Sequence, residues 1–292
     1  MSSRPAENAA QTATSPIEET VVTPDGVSLW VQRFAGNPPT QGTILFTHGA
    51  CEHSGRYREI FASLQQSGWN MIAWDLRGHG RSGGVRTNIR KFDEYLDDLD
   101  VLWKHYQLDP MRTALMGHSM GGLVVIRYVQ TRKLKCLGLI LASPLLKLAI
   151  PIPGWLLAIG KRLRWIAPRW RFHSRVQQKD TTRDPAQLAL RRQDTFIQRK
   201  VTVNWFYAVQ EGIQQAWRDA GQLHSPALIL QAADDRIVSA DATSSWAQLA
   251  ASSEVTYISL ADHYHELFHE ADRFETLGKC VEWLKGRLGT AQ

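Results

Sequence analysis

Short apolar runs recur along the chain, separated by stretches with helical periodicity. The runs are Thr43 to Thr47, Asn70 to Trp74, Thr113 to Met116, Leu137 to Leu141, Ala227 to Leu230 and Val255 to Ser259. They are mostly continuous rather than alternating, the pattern of strands buried on both faces. Tyr57 to Gln66, Phe92 to Tyr106 and Leu123 to Val129 read as helices between them. Ahead of these, Glu19 to Val22 and Val27 to Val31 flank Pro24-Asp25-Gly26, a hairpin signal. The order predicts an α/β fold, with a central, mostly parallel sheet covered by helices on both faces. Ligands bind beyond the carboxyl ends of the strands in such sheets, so the residues just after each run carry the functional interest.

One stretch breaks the rhythm. Between Ser143 and Ser225 no convincing strand is visible, only helical pieces rich in Trp and Arg. The pattern therefore divides the chain into a core at residues 19–143 and 225–292 and a helical cap insertion at 144–224. Residues 1–18 are polar and rich in Ala, Ser and Thr, and are expected to be a disordered tail. They lack the charged start and apolar centre of a signal peptide. The longest apolar run, Leu145 to Gly160, is interrupted by Lys147, Pro151 and Pro153 and is too short to span a bilayer. Cys51, Cys136 and Cys280 are scattered, with no disulfide or metal spacing. A cytoplasmic protein is expected.

Charge sharpens the division. The 292-residue chain has a net charge of +6, yet residues 161–200 hold twelve Lys/Arg against three Asp, a local +9. The remainder is −3, so the basicity belongs to the insertion. Trp and Leu beside Arg and Lys, at Trp155 to Ile159, Lys161 to Trp165 and Arg169 to Arg171, is the composition of an interfacial segment. Peripheral contact with the anionic inner face of a membrane is expected there, against the plainer reading of a solvated basic face. No nucleic-acid partner is expected.

The strongest chemical signal is Gly117-His118-Ser119-Met120-Gly121-Gly122, set between a strand and a helix. G-x-S-x-G in that setting is a sharp turn that exposes a serine at a helix N-terminus. A serine needs a base and an orienting acid to become a nucleophile. The acid is sought after a late strand, where Asp234 and Asp235 compete. The base is sought after the last strand, where His263, His265 and His269 compete. The strand ending at Thr47 runs into His48-Gly49-Ala50, where the backbone amide of Ala50 joins that of Met120 as an oxyanion donor. His48 and His53 could be read as bases but fit better as braces of that loop, and Glu52 with Arg56 is either an ion pair fixing it or a solvated pair.

The chain resembles the monoacylglycerol lipase and lysophospholipase group of the α/β-hydrolases. The resemblance rests on four motifs: residues 48–57, HGACEHSGRY; residues 75–84, DLRGHGRSGG; residues 117–122, GHSMGG; and Asp235-Arg236-Ile237-Val238 followed by His265-Glu266-Leu267. It covers about residues 20–285. It implies an α/β-hydrolase fold with Ser119, Asp235 and His265 as the catalytic triad, and a structural role for His79. The implied chemistry is hydrolysis of single-chain lipid esters, monoacylglycerols or lysophospholipids, through an acyl-enzyme and without a cofactor or metal. General carboxylesterase or acyl-thioesterase activity is the alternative. Cys51 stands where the family commonly has glycine and would narrow the site; Ala232 stands where glycine often precedes the acid.

Two readings from other classes compete. His265-Glu266-Leu267-Phe268-His269 is the H-E-x-x-H pattern, which on a helix places two histidines on one face for zinc. Its third ligand would have to come from Glu270, Asp272 or Glu282. A non-catalytic binding module on the same fold is the other.

Overall fold

The computed structural model describes residues 15–250 and 254–288. Among these residues ten strands run in chain order: β1 Ile17–Val22, β2 Ser28–Phe34, β3 Gly42–Thr47, β4 Trp69–Trp74, β5 Thr113–His118, β6 Gly138–Ala142, β7 Arg171–His173, β8 Lys200–Thr202, β9 Ala227–Ala232 and β10 Val255–Leu260. The helices are α1 Arg58–Gln66, α2 Asp93–His105, α3 Met120–Arg132, α4 Gly154–Ile166, α5 Pro185–Gln193, α6 Val203–Arg218, α7 Ala240–Leu249 and α8 Arg273–Leu288. Eight strands form one sheet in the order β1-β2-β4-β3-β5-β6-β9-β10. β1 and β2 pair antiparallel, as do β2 and β4; every other neighbouring pair is parallel.

The continuous apolar runs have the cause the pattern suggested. Side chains alternate across a strand, and both sides here are core. Leu45, Leu115, Leu139, Leu141 and Ile229 enter one hydrophobic cluster with residues of α2, α3 and α6. Ile44, Phe46, Met116, Ile140 and Leu228 enter the other, with residues of α1 and α8. Helix α3 is apolar around most of its circumference and is buried along nearly its whole length. β5 and α3, which meet at Ser119, are thus held from every side.

The segment between β6 and β9 contains α4, α5, α6 and, against expectation, a small antiparallel sheet in which Arg171 pairs with Thr202 and His173 with Lys200. Strands of three residues span too little of the two-residue period to show in a sequence, which is why β7 and β8 were invisible there. The tail expected at residues 1–18 lies outside the described residues up to position 14, while Ile17 and Glu18 already pair in β1. No helix among the described residues is long and apolar enough to cross a membrane.

Candidate active site

β5 ends at His118 and α3 begins at Met120, leaving one residue for the turn. Ser119 takes it with φ 53° and ψ −117°, a conformation that L-residues rarely adopt. The reversal brings α3 so close to β3 that a Cβ on Gly121 would stand 2.1 Å from the Thr47 carbonyl oxygen. The loop after β3 passes equally near: a Cβ on Gly49 would lie 3.2 Å from Ser119 Cβ. The amides of Ala50 and Met120 therefore border the serine, and among the described residues neither donates a hydrogen bond to protein.

Two distant loops complete the arrangement. The Ser119 hydroxyl lies 2.8 Å from Nε2 of His265, in the loop after β10. Nδ1 of the same ring lies 2.8 Å from Oδ2 of Asp235, in the loop after β9. The other Asp235 oxygen accepts from the amides of Ile237 and Val238, both at 2.9 Å. Burial works against the Asp235 charge, but His265 and these two amides hold its carboxyl below the usual carboxylate range. Burial likewise opposes the imidazolium at His265, yet Asp235, with smaller help from Glu266 and Glu52, raises the ring above its ordinary value.

The rival candidates point elsewhere. Asp234 is exposed. His263 turns its Nδ1 to the Ala261 carbonyl at 2.7 Å and its Nε2 toward Asp272 at 3.0 Å. His269 donates from Nε2 to the Arg56 carbonyl at 3.2 Å, packs edge-on to Tyr57, and is pushed down to about 3 by burial and by Arg56. The H-E-x-x-H pattern is not helical where zinc would need it: Leu267–His269 is a single 3-10 turn and the two imidazoles diverge. Among the described residues no three His, Cys, Asp or Glu side chains are grouped to hold a metal ion.

The order Ser119, Asp235, His265 along the chain is the one found on the α/β-hydrolase fold. A family model described as serine aminopeptidase, S33, matches residues 38–272. The chain belongs to that family of α/β-hydrolases. Within it the similarity runs to lipid ester hydrolases. The chain is 34% identical to phospholipase YtpA of Bacillus subtilis, over 79% of this chain and 90% of that protein. It is 25% identical to a monoacylglycerol lipase of Mycolicibacterium smegmatis, over 90% and 95% of the two chains. The crystal structure of a Paleococcus ferrophilus monoacylglycerol lipase superimposes with a TM-score of 0.82 at 27% identity, covering 89% of this chain and 99% of that one. The protein is a serine ester hydrolase of the monoacylglycerol lipase group.

Other motif residues of this hydrolase brace the site. His48 donates from Nδ1 to the Gly49 carbonyl at 2.7 Å and accepts the Leu76 amide on Nε2 at 3.0 Å, and burial lowers its pKa, so it is a neutral strut. Asp75 accepts the Ser54 amide and hydroxyl at 2.8 and 2.7 Å, tying the 75–84 loop to the Ala50 loop. His79 is buried, its Nδ1 3.1 Å from the Arg77 carbonyl, and burial pushes it down to about 3. Cys51 has φ 63°, which gives a backbone reason for the family's glycine there. Its thiol is buried and pushed up to about 12 by burial. Ala232 closes β9 in extended conformation and needs no glycine.

Three contributors escaped the sequence reading. Arg56 pairs with Glu52 as a buried ion pair, the first of the two alternatives, and it also grips Glu266 with two hydrogen bonds of 3.0 and 2.6 Å. Arg191, from α5 between β6 and β9, reaches the same Glu266 at 2.7 Å. His118, the variable residue of the serine motif, lies 3.1 Å from Glu52 and donates to the His265 carbonyl at 3.2 Å. Burial penalises both carboxylates, yet the arginines hold each well below the usual range. Arg56 and Glu52 carried a local signal, the i,i+4 spacing; Glu266 and Arg191 are 75 residues apart and carried none.

Proposed function

We propose that the protein hydrolyses carboxylic esters of single-chain lipids, monoacylglycerols or lysophospholipids, through an acyl-enzyme on Ser119. The unbroken hydrogen-bonded chain from Ser119 through His265 to Asp235, with both links at 2.8 Å, carries the proposal. His265 takes the hydroxyl proton as Ser119 attacks the ester carbonyl. The amides of Ala50 and Met120 receive the developing oxyanion. His265 then protonates the departing alcohol, and in the second half-reaction activates water against the acyl-enzyme, while Asp235 holds the ring in the required tautomer. Each of these steps is assigned to a side chain or amide named here.

The names of the relatives support a lipid substrate, and so does the surface of the insertion. Trp155, Trp165 and Ile166 of α4 are 68%, 87% and 82% exposed, among the exposed bases Lys161, Arg162 and Arg169. An apolar, basic surface of that kind fits the headgroup region of an anionic membrane, and we assign that contact to α4.

Labelling with a fluorophosphonate tests the nucleophile. Wild type should be labelled and Ser119→Ala should not, and the variant's ester turnover should fall by about six orders of magnitude or less, to the residual rate that binding and the oxyanion site sustain. Unchanged turnover in Ser119→Ala would end the proposal. Profiling wild type on monoacylglycerols, lysophospholipids, short p-nitrophenyl esters and acyl-thioesters tests the substrate. A preference for the last two would replace lipid esters with general carboxylesters or thioesters.

A further inference from the structure

Helix α5 is an unusual helix to find beside an active site. Its residues Leu188, Ala189 and Leu190 bury no apolar stripe, and the single buried residue in it is Arg191. A surface helix ordinarily docks by an apolar face, so α5 is held by something else. Arg191 supplies it: the guanidinium reaches Glu266, the residue after His265, and both side chains are buried. Three residues on, at the cap that closes the same end of the helix, Asp194 holds His53 at 2.7 Å, in the loop that carries Ala50.

The backbone on either side of α5 repeats these two attachments. Before the helix, the Thr181 carbonyl accepts the Glu266 amide at 2.7 Å, and the Thr182 hydroxyl donates to the His269 carbonyl at 2.8 Å. After it, the Gln198 amide donates to the Cys51 carbonyl at 2.8 Å. The segment therefore grips the histidine loop through Thr181, Thr182 and Arg191, and the oxyanion loop through Asp194 and Gln198. Hydrogen bonds and ion pairs make most of these attachments, and the Phe196 ring adds a contact with His53 at 5.3 Å.

We infer that Arg191 and Asp194 are positioning residues: Arg191 fixes His265 through Glu266, and Asp194 fixes the Ala50 amide through His53. The inference rests on the triad assignment and extends the machinery into the insertion. Geometry that matters to within about 1 Å is thereby made to depend on the seating of a helix outside the sheet. By linkage, whatever stabilises the seating of α5 stabilises the competent arrangement of the two loops, and the reverse holds equally. Arg191 has a second consequence. His265 faces Asp235, Glu266, Glu52 and His118, and Arg191 with Arg56 offsets the Glu266 charge.

The test uses the full-length protein and p-nitrophenyl acetate, a substrate too small to need a lipid site. Arg191→Met should lower kcat by about 10- to 100-fold with KM little changed, as expected for misplacement of the reacting groups. The acid limb of kcat/KM should move to higher pH, because Glu266 then acts on His265 with one fewer cation beside it. Arg191→Lys should recover part of the loss, and Arg192→Met, an exposed neighbour on the same helix, should behave as wild type. Asp194→Asn, which keeps shape and a hydrogen-bonding group, gives an independent reading should Arg191→Met fold poorly by circular dichroism; it should lower kcat and leave the acid limb in place. If Arg191→Met and Asp194→Asn keep wild-type kcat on the small ester, or lose activity only on long-chain esters, the two residues do not position the triad and the inference fails. If instead wild type itself is not labelled at Ser119 by a fluorophosphonate, the triad assignment has failed, and the two failures are distinguished.

Discussion

The turn at Ser119 and helix α4 place opposite demands on the same residue type. Gly121, two residues after Ser119, would drive a Cβ to 2.1 Å from the Thr47 carbonyl, whereas Gly154, at the start of α4, has nothing within 4 Å of that position. α3 is buried along nearly its whole length and α4 has no buried residue at all. The contrast fits the two jobs proposed above, acyl transfer at Ser119 and membrane contact at α4. Transfer of a proton over 2.8 Å tolerates little movement, so the serine is set where two hydrophobic cores and the sheet confine the backbone. Contact with an irregular lipid surface needs exposed side chains and a helix that is free on one side. α4 is fastened to α6 by individual bonds rather than a core, for example Tyr207 to the Leu157 carbonyl at 2.5 Å and Arg164 to Asn204 at 2.9 Å.

The sharpest way to break this comparison is to add one methyl group on each side of it. Gly121→Ala should abolish both fluorophosphonate labelling and cooperative unfolding at the wild-type temperature, since the methyl meets backbone that cannot withdraw. Gly154→Ala should leave labelling untouched and alter stability by no more than about 1 kcal/mol, in the stabilising direction because alanine favours a helix. Thermal unfolding of the two variants beside wild type measures both. A tolerant Gly121 would mean that the turn is far softer than its contacts indicate.

The next effect in size concerns two adjacent carboxylates, one on each side of the same divide. Asp235→Asn should reduce kcat by about 10⁴-fold, because the amide cannot both keep its backbone acceptor role and hold the His265 tautomer. Asp234→Asn should stay near wild type, since that side chain is exposed. The wild-type profile carries a sign as well. His265 must be neutral to accept the serine proton, and its pKa is raised by Asp235 against the effect of burial. Activity should therefore fall as pH drops through a value above the ordinary 6.5 of a histidine. An acid limb of kcat/KM well below 6.5 would contradict the geometry at His265.

The same divide governs what the sequence discloses. The sheet was legible because burial on both faces demands unbroken apolar runs, and the elbow because its steric crowding restricts the neighbours of Ser119 to a recognisable pattern. Choosing Asp235 over Asp234 and His265 over its neighbours needed the family resemblance: from the residues alone each pair looks alike, since what separates them is the direction of a side chain in a loop. The Glu52–Arg56–Glu266–Arg191 chain was only half visible. Its local pair has helical spacing, but Arg191 lies within a run of basic residues that reads as a solvated face, and only the fold shows that it alone in α5 is buried. β7 and β8 were missed because three residues carry too little periodicity.

The smallest effect on the enzyme itself is expected on the outer side of α4, and it sharpens the comparison by its selectivity. Trp155, Ile159 and Ile166 recur at intervals of four and seven residues, which places them along one side of the helix, with Trp165 beside them. Arg164 is engaged by Glu211 and Asn204, leaving Lys161, Arg162 and Arg169 as the cations facing outward. In the contact proposed above, each would contribute about 1 kcal/mol near an anionic surface, and the aromatic and aliphatic groups would add burial in the headgroup layer. Replacing Trp165 and Ile166 by serine removes no buried contact, so stability should stay within about 0.5 kcal/mol of wild type and turnover of p-nitrophenyl acetate should not change. Co-sedimentation with anionic vesicles should fall, and so should the salt-sensitive part of that binding once Lys161, Arg162 and Arg169 are replaced by glutamine. Neutral vesicles should bind weakly throughout. Binding that is indifferent both to lipid charge and to these residues would remove α4 as the membrane contact, and would leave its exposed tryptophans without a role in the reaction.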